Sequence, residues 1–311
     1  MSLSDKIALK KQKEAKQLSR FRRLSEKKII VGYSIILSLI LIIFNMFDQM
    51  ATNMTSSFSE TITLFFAILG SDADLSVVYN ALGQIVKQGA DYGTYSAMFR
   101  KLNLGTTIGF AFMGICPFYK ASANKYGRKV FFIINCIGLI IACFQTGFSH
   151  FIFSMANGNS AIETLTIATY IIGNSCIIFF TIQDIQMLYV FETISEKKRA
   201  FVYGLAKGVG TLGSVLVLVI KLFFVIDGKG LSWNIVLYLI AGFGLATLLI
   251  AILFLRESDP FVKQKIKELE IPLEEREKKR IEAKNSKFGL VNGIKLCFKN
   301  KNLDIYVFPY F

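Results

Sequence analysis

The chain has 311 residues, 53% of them hydrophobic and 19% charged, with a mean hydropathy of +0.49 and a formal charge of +14. The charges are so unevenly spread that 33 consecutive residues between Lys129 and Glu163 carry none, and neither do the 26 between Lys229 and Arg256. A bilayer core takes about 20 apolar helical residues to cross, so these runs exclude a soluble domain, a disordered chain, a disulfide-stapled secreted fold and a collagenous one.

In chain order, residues 1–28 form a basic tail in which Leu18, Phe21 and Leu24 fall at helical spacing among Lys16, Arg20, Arg22 and Arg23. Such a helix is suited to an anionic leaflet. Six segments then meet the length test for crossing: 29–47, 102–119, 130–148, 164–191, 200–226 and 231–255. The pattern predicts an all-α membrane protein, a six-helix bundle over 29–255, with a long outer loop at 48–101. Within that loop the eleven uncharged residues from Thr61 to Ser71 are too few to span and read as an interfacial or re-entrant piece. Residues 256–303, dense in Lys and Glu, read as a cytoplasmic helical linker, and 304–311 as the start of a seventh helix. No ten-residue blocks alternate with period two, which disfavours a barrel.

Thirty of the 36 Lys and Arg fall in the tail, in the turns at 120–129 and 197–199, and from Arg256 onward, all on one side of a six-span arrangement. The positive-inside rule therefore places both termini in the cytoplasm of a multi-pass protein, expected in the cell membrane. The same asymmetry accounts for the +14 charge without nucleic acid as a partner. Cys116, Cys136, Cys143, Cys176 and Cys297 are odd in number and contain no C-x-x-C, so neither disulfides nor a zinc site is expected. The sole histidine, His150, reads as an outer-loop residue without partners for a catalytic dyad or a metal, and no cofactor or enzymatic chemistry is anticipated.

The most specific stretch is the short turn Asn124-Lys125-Tyr126-Gly127-Arg128-Lys129. A turn this tight needs a residue able to adopt positive φ, and Gly127 does so without steric cost. The order Gly-Arg-Lys resembles the turn between helices two and three of the major facilitator superfamily, though Lys120 and Asn124 replace that pattern's leading glycine and its aspartate. Glu192 with Arg199, across the next cytoplasmic turn, and Glu257 within Arg256-Glu257-Ser258-Asp259-Pro260-Phe261 resemble further motifs of its sugar-porter-like members.

The resemblance implies an amino-terminal six-helix half with gating or structural roles at Gly127, Arg128, Lys129, Glu192, Arg199 and Glu257. It also implies a solute cleft lined by the first and fourth helices. Those helices carry Asn45, Asp48 and Gln49 on one, and Asn174, Gln183, Asp184 and Gln186 on the other. Polar side chains inside spans serve ligand binding or interhelical bonding, and both uses stay open for Asn174, Gln183, Asp184 and Gln186. Asp48 is a solute or ion candidate as well, with a solvated helix end as its alternative reading. Asp184 and Lys207 sit eight residues from the two ends of the 192–199 turn, at equal depth, and either neutralise each other or leave Lys207 snorkelling to the interface. Gly204 and Gly208, a G-x-x-x-G pair, with Gly213 further along the same segment, are expected at close helix contacts.

The functional expectation is half of a secondary transporter for a small polar solute such as a sugar or organic acid, completed by a carboxy-terminal half or a second copy. The alternative is a non-transporting six-helix scaffold. The chain ends where a seventh helix would begin, consistent with a piece of a longer transporter or with a natural half.

Overall fold

The computed structural model describes residues 3–26, 33–69, 90–114, 119, 123–156, 159–181, 183–223, 233–272 and 275–276, and every regular element among them is helical. The chain divides into two units. One comprises 29–261 and the other 1–28 with 262–311.

In the terminal unit, helix α1 (Leu3–Glu26) is built almost wholly from Lys, Ala, Leu, Gln, Glu and Arg, with neither Gly nor Pro. Among the described residues two ion pairs tie it to the linker, Arg22 to Glu270 at 2.9 Å and Glu14 to Arg276 at 2.7 Å. Linker residues 277–303 and the seventh-helix segment 304–311 lie outside the described residues.

The membrane unit contains α2 (Tyr33–Ser57), α3 (Ser59–Leu64), a π-helical turn (Phe65–Leu69), α4 (Ala90–Met113) and a single turn (Ala123–Tyr126). Then follow α5 (Arg128–Ser154), α6 (Ser160–Phe179), α7 (Gln183–Thr193), α8 (Glu196–Gly210), α9 (Leu212–Lys221) and α10 (Trp233–Phe254). Helix α11 (Asp259–Glu270) leads into the linker. Five stretches among the described residues are long and apolar enough to cross a membrane: Ile35–Ser57, Arg128–Ser154, Ser160–Phe179, Glu196–Lys221 and Trp233–Phe254. The expected span 102–119 belongs to α4, which begins twelve residues earlier and carries Arg100 and Lys101 in its polar first half; 115–118 lie outside the described residues.

Helices pack in the spatial order α4, α6, α5, α10, α2, α8/α9. Lipid tails are as apolar as the side chains, so close packing rather than water exclusion holds such a bundle together. Gly210 and Gly213 supply the closest approach, where an added Cβ would strike the Asn45 side chain and the Met46 carbonyl. That overturns the expectation for Gly204 and Gly208, whose absent Cβ atoms would meet nothing within 4 Å. Their side of α8 is turned away from α2.

Three expected boundaries move, each for a local reason. Helix α2 runs ten residues past Phe47 because its polar side chains bond back to the preceding turn. Thr52 Oγ1 donates to the Asp48 carbonyl at 2.8 Å and Asn53 Nδ2 to that of Gln49 at 2.9 Å. Asp48 is consequently mid-helix and fully buried, not solvated at an end. Helix α5 passes Phe148 in the same way, with Ser149 Oγ donating to the Thr146 carbonyl at 2.6 Å, so His150 is helical rather than in a loop. The expected span 164–191 is interrupted between α6 and α7, where the Phe180 ring seats against the backbone of Gly138 on α5.

The described part of the piece expected to be re-entrant, residues 61–69, is helical, and its first six residues face inward. Thr61 to Phe66 are buried, and Phe65 stacks on His150 with ring centroids 4.2 Å apart and an interplanar angle of 16°. Trp233 meets both rings edge-on, at 5.9 Å from Phe65 and 5.3 Å from His150.

Candidate functional site

Two constellations stand out in the membrane unit. The first forms at the N-terminus of α5. Gly127 adopts φ +110°, which an L side chain rarely tolerates, and this turn aims the first N–H groups of α5 at the Glu257 carboxylate. The Arg128 N–H donates to Glu257 at 2.6 Å and the Lys129 N–H at 3.2 Å, which also places a negative charge at the positive end of the helix dipole. The Arg128 guanidinium turns the other way. It donates to Glu192 through Nη2 at 2.7 Å and Nε at 3.1 Å, and to the Ala123 carbonyl at 2.9 Å, above the Phe261 ring.

Ser258 Oγ donates to the remaining Glu192 oxygen, closing the cluster. Lys129 anchors separately, its amine donating to the Ile252 carbonyl at 2.8 Å. The cluster thus fastens the ends of α5, α7 and α10 together. Burial pushes the Glu257 carboxyl above its ordinary pKa, against the opposing pull of the Lys129, Arg128 and Ser258 N–H groups.

Gly127, Arg128, Lys129, Glu192 and Glu257 therefore meet in space as well as in motif. Arg199 does not join them. Its Nε donates to the Ile194 carbonyl at 2.9 Å and it pairs with Glu196 at 3.6 Å, closing the carboxy-terminal end of α7. Ser258 was not singled out from the sequence, where a serine beside two acids carries no distinctive signal.

The second constellation is a cavity of about 560 Å³ between α2, α3, α4 and α6. On α2 its wall is Gln49, Thr52, Asn53 and Ser56, a single helical face at i, i+3, i+4 and i+7. Helix α4 contributes Asn103, Thr106 and the rings of Phe99 and Phe110, α3 contributes Ser59 and Thr63, and α6 contributes Tyr170 and Asn174. No acidic or basic side chain lines it among the described residues. The volume lies within the range of small-molecule pockets, about 300–1,000 Å³.

The amides in this wall are oriented by their neighbours. Asn53 Nδ2 donates to Gln49 Oε1 and to Ser214 Oγ, each at 3.0 Å. Asn174 Nδ2 donates to Thr106 Oγ1 at 3.1 Å, leaving its buried Oδ1 without a hydrogen-bond partner among the described residues.

Of the solute candidates read from the sequence, Asn174 lines the cavity. Asp48 and Gln186 are buried outside its lining. The side chains of Gln183 and Asp184 lie outside the described residues, and so does any direct view of an Asp184–Lys207 pair. Lys207 Nζ lies 3.5 Å from Asn45 Oδ1, and the Asn45 amide donates to the Ala206 carbonyl at 2.8 Å, so Asn45 bonds α2 to α8. The α4 wall was not singled out in the sequence, although Asn103, Thr106 and Phe110 lie within the expected span 102–119 and only Phe99 falls in the expected loop. The spacing of Asn103, Thr106 and Phe110 along one helix face was the available signal.

Apolar helices of spanning length around a hydrogen-bonding cavity, uncharged among the described residues, with a charge cluster fastening one end, describe an integral multi-pass membrane protein. The model of the sugar (and other) transporter family matches residues 66–272, and the chain belongs to that family. Among solved structures, the inward-open conformation of the xylose transporter XylE from E. coli is similar at 15% identity and a TM-score of 0.49, over 86% of this chain. This chain spans 62% of that transporter's length. No curated protein matches.

Proposed function

We propose that the chain forms one half of a secondary transporter that moves a neutral, polyhydroxylated solute of the sugar class by alternating access, with its cavity as one wall of the cleft. The observation that carries this is the lining: amides and hydroxyls on four helices, flanked by Phe99, Phe110 and Tyr170, with no cation among the described residues to hold an acid's carboxylate. A sugar presents hydroxyls that both donate and accept, and apolar ring faces that sit against aromatics. An organic acid would be left with an uncompensated charge in a weakly polar site.

Family membership supports the same class. Completion of the cleft by a carboxy-terminal half or a second copy, a cell-membrane location and cytoplasmic termini belong to this proposal, the last supported by the asymmetry of Lys and Arg. In it, the Arg128–Glu192–Glu257 cluster is the element that parts and re-forms as the two halves rock.

Trp233 is the only tryptophan, and its ring lies 6.1 Å from that of Tyr170, a cavity-lining residue, so its emission is a natural reporter. Titrating the purified chain with aldopentoses, aldohexoses, the corresponding aldonic acids and amino acids should give a saturable change with neutral sugars and none with the acids. A chain that unfolds cooperatively yet responds to no sugar, or responds to the acids instead, refutes the proposal and favours the scaffold reading.

A further inference from the structure

Helix α1 carries charge in a pattern that its ion pairs to the linker sort into two faces. At about 100° per residue, Lys13, Lys16, Arg20 and Arg23 fall within an arc of about 80°. All four are exposed, and Leu9, in the middle of the same arc, is 41% exposed. Leu24 flanks the arc at the other end of the helix and is 36% exposed.

Glu14 is the one acidic residue between Leu9 and Leu24, and it lies about 140° from the centre of that arc. It pairs there with Arg276, on the side shared with Leu18 and Phe21, which are less exposed than the residues around them. Leu18 and Phe21 are therefore turned to the linker side, and the opposite side presents cations with Leu9 and Leu24. Only residues 27–32 separate this helix from α2, so the covalent chain keeps it at high effective concentration beside the bilayer.

We propose that this face of α1 docks on a leaflet of anionic phospholipid, on the side of the membrane that carries the termini. The Lys13, Lys16, Arg20 and Arg23 heads engage phosphate and carboxylate groups there, and Leu9 and Leu24 enter the headgroup boundary. Between Leu9 and Leu24 this arc holds four cations and no acid, which matches a surface of negative charge. Each cation near such a surface strengthens attachment about fivefold. The face differs from the one the sequence suggested, because Leu18 and Phe21 are committed to the other side.

The test uses the full 311-residue chain in nanodiscs of phosphatidylcholine alone and of phosphatidylcholine with about one third phosphatidylserine. Amine-reactive labelling of Lys13 and Lys16 is followed by mass spectrometry. Labelling of both should slow at least about fivefold in the anionic discs. It should recover at about 0.5 M salt, where screening shortens the reach of these charges to a few ångströms.

The double substitution Arg20→Gln with Arg23→Gln keeps both reporter lysines and should restore most of the labelling in anionic discs. Arg22→Gln, on the linker side, should leave the protection in place. Equal labelling in the two kinds of disc, or protection unchanged by the double substitution, overturns the proposal. So does protection by single-stranded RNA or soluble polyphosphate in neutral discs without protection by the anionic lipid.

Discussion

Replacing Gly127 with alanine tests the charge cluster at its most constrained atom. The backbone there, φ +110° and ψ 152°, lies in a region essentially reserved for glycine, and holding an alanine in it costs about 1–3 kcal/mol. The new Cβ would also sit 2.5 Å from Glu257 Oε2 and 3.1 Å from its Cδ, so the carboxylate must move. In moving, it loses the N–H groups of Arg128 and Lys129 as donors, and each hydrogen bond to a charged group contributes about 1.5–3 kcal/mol.

With partial relaxation the total is about 3–5 kcal/mol, a large share of a marginal stability, which corresponds to a fall of roughly 10 °C in Tm. Thermal unfolding of the detergent-solubilised chain, followed by size-exclusion chromatography, measures it. Gly204→Ala is the matched control. Its Cβ meets nothing within 4 Å, and alanine is the better helix former by about 1 kcal/mol, so its Tm should hold or rise. A Gly127→Ala chain as stable as the parent, or a Gly204→Ala chain as damaged as Gly127→Ala, would refute the reasoning.

Two further outcomes follow from the same geometry. Because burial raises the folded-state pKa of Glu257 above its unfolded value, its contribution to stability is complete below the ordinary carboxylate pKa and is lost as pH rises through the higher folded value. Tm should therefore rise on acidification from neutrality across that window. Glu257→Gln should flatten this part of the profile, and a profile identical in the two chains would show that the carboxyl is not the group responsible. For the equal-depth pair, Asp184→Asn and Lys207→Met should each lower the yield of folded protein while the double substitution recovers much of it. Additive losses would instead leave the Lys207 amine with Asn45, 3.5 Å away.

Much of the architecture was legible in the sequence, because a bilayer forces each crossing segment to satisfy its backbone within its own helix and to be apolar over its whole length. Both requirements are local, and they mark α2, α5, α6, α8/α9 and α10. The Gly-Arg-Lys turn was legible for the same kind of reason, since a positive φ limits the choice of residue at one position. Where the local reading failed, polar residues had been taken for helix ends. Asp48, Gln49, Thr52 and Asn53 looked like the start of a loop, yet α2 continues through them by bonding side chains to its own carbonyls. Only the tertiary structure decided which face each helix presents. It put Gly210, with the expected Gly213, against α2 and turned Gly204 and Gly208 away, brought Glu192 and Glu257 to opposite sides of Arg128, and turned Asn103 and Thr106 toward Asn174. Hydropathy is summed along the chain and is unchanged when a helix rotates about its axis, whereas packing fixes that rotation through contacts between residues far apart in sequence.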